Sequence, residues 1–312
     1  MIKKMLECTL SELQREVCFH ILTQEFCILS QNNLYPEQQY QPPHSTILKW
    51  WGEQQFEIQQ VKAWQFGSLL FRLTRGIKEW RLEYHRPQCQ HDYEQQWKIL
   101  TDTEFAMPHP AKIERYMFHK TNSTFHLMPR LADRSVVIKP VDPIYIPAGQ
   151  RGTLYISTPL WIAGLVEGLT EPLFDIPVIQ PKDTWFGKDP QHGEICYATS
   201  VDGRTDLNLL KPRAFRAVTP IEFHNTSQHQ LRFDRMNVPV PALPLFYSES
   251  TGRLWTSQIK VHYEGAEHPA RIRIENKTPT QAGEVIYVHP PRWHNKFHHA
   301  GGLFQTRCLS AG

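Results

Sequence analysis

The chain has 312 residues, 40% of them hydrophobic and 21% charged, with a formal net charge of +3 from 34 basic and 31 acidic residues. That length and apolar content suit one large or two ordinary packed domains and exclude a disordered chain. Basic residues alternate with acidic ones and form no run, so there is no electrostatic footprint for nucleic acid and none is expected as a partner.

No window offers 18 consecutive apolar residues, so no membrane insertion is expected. The basic start is broken by Glu7, Glu12, Arg15 and Glu16, where a signal peptide needs an uninterrupted apolar core. Cys8, Cys18, Cys27, Cys89, Cys196 and Cys308 form no CxxC pair, a dispersal that suggests reduced thiols and a cytoplasmic protein. The 24 prolines shorten helices and punctuate strands, which favours a β-rich reading.

Residues 1–50 read as an N-terminal extension. Leu6, Leu10, Leu13 and Val17 lie at helical spacing, with Thr9 and Glu12 placed for a capping box, and "EFCILS" then reads as a strand. The polar "QNNLYPEQQYQPPHS" is loop. Residues 51–130 form a first β region. Leu69, Phe71 and Leu73 alternate with Leu70, Arg72 and Thr74, and Trp80, Leu82 and Tyr84 alternate with Arg81, Glu83 and His85. Gly76 between these runs predicts a hairpin.

Residues 131–312 form a second β-sandwich region with a short C-terminal tail. "VVIKP", "PIYIPAG" and "RGTLYISTPLWI" are strand-like, with Leu154, Ile156 and Thr158 on one face. "TPIEFHNTSQHQLRF" predicts a hairpin, Ile221 and Phe223 going out and Leu231 and Phe233 coming back. "RLWTSQIKVHYEG" and "ARIRIENKTP" add two more strands. The fold expected is mainly β: two antiparallel β-sandwich-like regions, the second immunoglobulin-like, with few short helices. No βαβ alternation, GxGxxG or P-loop supports a nucleotide-binding α/β fold.

The blocks "GSLLFRLTRGIKEWRLEY", "RLADRSVVIKPVDPIYIPAG", "LYISTPLWI", "FDIPVIQPKDTWFG", "GEICYA" and "PRAFRAVTPIEFHNTS" occur in an order that resembles an uncharacterised β-rich family of bacteria and archaea, catalogued as a domain of unknown function (family 432). The resemblance runs from about Gln54 to about Phe304 and leaves the first fifty residues outside. It implies a fold and no catalytic residues. It also suggests a protein partner, a mechanosensitive channel or other membrane protein.

The candidate sites follow from unusual chemistry at strand ends. In "DTWFGKDPQHGEICYATS", Asp183 suits an Asx turn and Trp185 supplies a large apolar surface. Arg213 and Arg216 flank Phe215 in "KPRAFRAVTP" and could join Asp183 and Trp185 around a small polar ligand, Asp183 pairing with Arg216 when it is empty. The structural alternative buries Trp185, together with Trp80 and Trp161, in the core. A nucleophilic Cys196 with His192 as base would need a bulge, since four strand residues separate them by about 13 Å. His289, His294, His298 and His299 form a weak metal candidate with no acid or thiol inside the cluster. Pro239, Pro241 and Pro244, bordered by Tyr247 and Trp255, force an extended edge that is either covered or open to a partner strand. The leading expectation is a non-catalytic binding or regulatory module without a cofactor. The competing one is a metal- or thiol-dependent hydrolase.

Overall fold

The computed structural model describes residues 49–86, 97–100, 106–189, 191–201, 203–210, 212–268, 270–275, 277–293 and 304–305. The chain divides into Met1–Thr46 and Ile47–Gly312, and all the described residues belong to the second unit. The expected N-terminal helix and the "EFCILS" strand lie outside them, as do His294, His298 and His299.

Up to residue 130 the strands are β1 (Gly52–Gln55), β2 (Val61–Phe66), β3 (Leu69–Arg75), β4 (Glu79–His85), β5 (Trp97–Leu100), β6 (Lys112–Met117) and β7 (Thr124–Arg130). Then come β8 (Val136–Pro140), β9 (Ile144–Ile146), β10 (Arg151–Pro159), β11 (Trp161–Val166), β12 (Phe174–Pro177), β13 (Lys182–Asp189), β14 (His192–Val201) and β15 (Arg216–Asn225). The last are β16 (Leu231–Phe233), β17 (Arg235–Val238), β18 (Leu245–Ser248), β19 (Arg253–Thr256), β20 (Ile259–Tyr263), β21 (Arg271–Ile274), β22 (Ile286–His289) and β23 (Phe304–Gln305). Helical structure among the described residues is confined to single 3-10 turns at Leu207–Leu209, Val240–Ala242 and Thr280–Ala282. The chain is mainly β.

Two sheets make the first sandwich: β5-β2-β3-β4-β6 and β1-β7-β11-β12. The hairpin expected at Gly76 is present, β3 pairing antiparallel with β4. Trp64, Phe66, Phe71, Trp80 and Leu82 from one sheet meet Phe125, Leu127, Ile162, Phe174 and Ile176 from the other. Phe125 packs within 4.9 Å of Trp80 and 5.9 Å of Phe174, ring centre to ring centre. Strands β11 and β12 come from beyond residue 130, so this core crosses the point that divides the two sequence regions.

The second sandwich sets β13-β14-β8-β17-β23 against β21-β20-β15-β19-β18-β22, with β10 on the far edge of β15. Val136, Ile138, Met236 and Val238 face Leu154, Ile156, Ile221, Phe223 and Val261. Most ladders are antiparallel, but β8–β14, β15–β19 and β15–β20 are parallel. Trp51 packs against both cores.

One expected pairing is not made. β16 pairs with β9, not with β15, so the run through Asn225 crosses between layers instead of closing a hairpin. The physical reason is a buried polar staple. The Asn225 side-chain amide shares its two N–H groups among the carbonyls of Ile146, Pro147 and His229 at 2.9, 3.1 and 2.8 Å, and its oxygen accepts from the Ser227 N–H at 3.0 Å. The proline-dense segment is covered by the chain itself: the carbonyl of Pro241 accepts from the N–H groups of Arg292 and Trp293 at 2.7 and 3.0 Å.

A groove beside an arginine cluster

The residues expected to form a site are held apart. Asp183 is exposed and faces Arg134 at 3.4 Å, their side chains 68% and 46% accessible respectively, a pair worth about 0–1 kcal/mol. Arg216 instead donates to the Ser157 hydroxyl and carbonyl, both at 2.9 Å, tying β15 to β10. Arg213 is half-buried in the bend before β15, its carbonyl accepting from the Arg216 N–H at 3.3 Å. The expected Asp183–Arg216 latch is therefore replaced by two separate contacts.

Of the tryptophans expected in the core, Trp80 is fully buried, Trp161 is half-buried and Trp185 is 42% exposed. Trp185 sits opposite Ile195, itself 56% exposed, on the β13–β14 ladder. Its indole lies against Gly193, where an added Cβ would come within 2.6 Å of the ring. A side chain with glycine beneath it rests on backbone and keeps its other face in water.

Cys196 and His192 both lie on β14, and the register irregularity beside His192 falls on the facing strand β13, between Gly187 and Asp189. The thiol is fully buried, and burial together with the neighbouring Glu194 pushes it up to about 12. Such a thiol stays protonated, so it is a small apolar core residue rather than a nucleophile. His289 is the member of the histidine cluster within the described residues. Its Nδ1 lies 2.6 Å from the Pro290 carbonyl.

What the fold does assemble is a groove along the outer face of β7. The alternation that sends Phe125 and Leu127 into the first core turns His126, Met128 and Arg130 outward. Met128, His126 and Leu165 of neighbouring β11 form part of the groove lining. Lys49, Trp51 and Gly52 line it as well, together with Tyr247, Ile286, Tyr287 and Val288. The groove encloses ≈ 390 Å³, within the range of small-ligand sites. Trp51 and Tyr247 meet edge to face at 4.9 Å, and Phe246 and Tyr287 at 5.7 Å, which fixes the aromatic walls. Lys49 carries its ammonium over Trp51 at 5.7 Å from the ring centre. β22 is an edge strand whose Ile286 and Tyr287 are 48% and 56% exposed. Its register against β18 shifts beside Val288, a bulge of the kind that re-aims side chains next to sites.

The lining stops at Pro129 and Val288, one residue short of Arg130 and His289 on the two flanking strands. There Asp175 of β12 accepts from Arg130 Nη1 at 2.8 Å and from both terminal nitrogens of Arg292, Nη2 at 3.0 Å. Arg292 also donates through Nε to the Leu131 carbonyl at 2.7 Å and stacks on Trp161 at 5.5 Å. Burial, and then the repulsion of Arg130 and Arg292, hold His289 below the usual imidazole range, against the raising effects of Pro290 and Asp175. Sequence reading names His289 here and, at the groove, only Tyr247. His126, Met128, Arg130, Asp175 and Arg292 share no motif, and the available signal was only the outward half of an alternating strand.

The family described as "Protein of unknown function (DUF432)" matches residues 50–300, and the chain belongs to that family. No curated protein and no solved structure matches the chain.

Proposed function

We propose that this member of the DUF432 family is a non-catalytic binding module that takes a small, largely apolar ligand into the groove between β7 and β22. The observation that carries the reading is the groove itself: aromatic walls locked by the Trp51–Tyr247 contact, an apolar floor of Met128 and Leu165, and few polar groups. The alternative hydrolase has less support. Cys196 is buried with its thiol at about 12, which disfavours its use as a nucleophile. A buried, unpaired thiol also favours a cytoplasmic setting. No helix among the described residues is long and apolar enough to cross a membrane.

The test uses the neutral fluorescent probe N-phenyl-1-naphthylamine. It should bind saturably with enhanced emission, and Tyr287→Ala together with Met128→Glu should weaken it about tenfold or more. Tyr287 is 56% exposed, so its truncation should cost little stability. Saturable binding that ignores both substitutions would remove the groove from consideration.

A further inference from the structure

We infer that the groove's ligand is an amphipathic anion, its apolar part along β7 and its carboxylate or phosphate end on the guanidinium of Arg130. This rests on the groove reading above and adds the charge and the orientation of the ligand.

Arg292 uses Nε on Leu131 and both terminal nitrogens on Asp175. Arg130 differs: among the described residues only its Nη1 has an acceptor, and its Nε is buried without one. A guanidinium carries five N–H donors, and each one buried without an acceptor is costly. The Arg130 side chain is only 15% accessible, its Nε is buried without an acceptor, and its Nη2 has no protein acceptor among the described residues.

Charge leads to the same end of the groove. Arg130 and Arg292 share a single partner, Asp175, in a setting where their side chains are 15% and 12% accessible. One of the two positive charges has no carboxylate to itself in direct contact, and His289, held below the usual imidazole range first by burial and then by the arginines, adds none at neutral pH. Glu171 acts on Arg130 through space but makes no ion pair among the described residues. A monoanion would supply the missing acceptor and balance the charge, and guanidinium geometry suits both carboxylate and phosphate.

Position supplies the apolar half. His126, Met128 and Arg130 succeed one another on the outer face of β7, so Arg130 lies about 13 Å from the His126 end. A ligand anchored at Arg130 therefore runs over Met128 towards His126, alongside the joined rings of Trp51 and Tyr247. Lys49 stands over Trp51 rather than at the arginine end, so the anion sits on Arg130 and not on Lys49.

Displacement of N-phenyl-1-naphthylamine by decanoate, decyl phosphate and decanol tests this. Decanoate or decyl phosphate should compete about ten- to a hundredfold better than decanol, as a hydrogen bond to a charged group implies. Whichever of the two is stronger identifies the head group. Arg130→Gln should abolish that preference, while Lys49→Gln should leave it. Asp175 keeps both bonds from Arg292 in the Arg130 variant, so the cluster retains a partner. In the unsubstituted protein the imidazole nitrogen resonances of His289 should move with decanoate and not with decanol, a readout that needs no variant to fold. Equal competition by decanol and the anions, a preference that survives Arg130→Gln, or an unmoved His289 would each overturn the inference. If the probe itself fails to bind, the groove reading fails first.

Discussion

Gly164 sits in β11 between two phenylalanine rings of the first core, and replacing it by alanine tests how tightly that core is closed. The added Cβ would lie 2.4 Å from Cε1 and Cζ of Phe174 and 2.6 Å from Cζ of Phe125. Relaxed carbon contacts need about 3.5–4.0 Å, so each ring must retreat by about 1 Å or more. Phe125 has nowhere to go, with Trp80 at 4.9 Å and Phe56 at 6.3 Å from its ring centre. Phe174 is fixed on its far side by Phe71 at 6.4 Å. Gly164→Ala should therefore cost about 2–3 kcal/mol, toward the upper end for overpacking. Phe174→Leu alone should cost about 1 kcal/mol, and the double variant should fall short of the sum by about 1 kcal/mol or more, because the smaller side chain vacates the methyl's space. Urea unfolding followed by tryptophan fluorescence reads all three, with the slope unchanged if only stability moves. A loss below about 0.5 kcal/mol for Gly164→Ala, or strict additivity in the double variant, would refute the account of this core.

Asn225→Ala should cost about 3 kcal/mol, since it strips hydrogen bonds from buried carbonyls on either side of the interlayer crossing; urea midpoints check it. Trp185→Ala should cost well under the about 3–5 kcal/mol of a core tryptophan, and Asp183→Asn less than about 0.5 kcal/mol, by the same assay. In a variant keeping Cys196 as its one cysteine, the folded thiol should resist a disulfide reagent at pH 8 and react fully in denaturant, because its pKa is about 12. His289 has a native pKa below the unfolded value near 6.5, so the unfolded chain binds more protons between the two. Its contribution is thus complete above pH 6.5 and is lost as pH falls through the native value; the pH dependence of the unfolding midpoint should flatten over that window in His289→Gln.

Alternation by itself determined the strands and their faces. Leu69, Phe71 and Leu73, Trp80 and Leu82, and Leu154 and Ile156 all point inward as their period of two requires, because burial of one face is a local property that the order of residues carries. The glycine at 76 likewise placed a hairpin whose two strands are neighbours in sequence. Pairing between distant strands was decided only by the tertiary structure. Nothing local distinguishes a β16 that returns to β15 from one that crosses to β9; the choice rests on Asn225 finding carbonyls of Ile146 and Pro147 some eighty positions away. The site was hidden for the same reason. Asp183, Trp185 and Arg216 stood out because their sequence neighbourhood is unusual, yet Arg134, in the bend before β8, and Ser157 of β10 take the polar groups. The groove and its arginine cluster draw on β7, β11, β12, β18 and β22, where single ordinary residues such as His126, Met128 and Asp175 meet because sheets stack, and a one-dimensional pattern holds no record of which outward faces come to lie opposite each other.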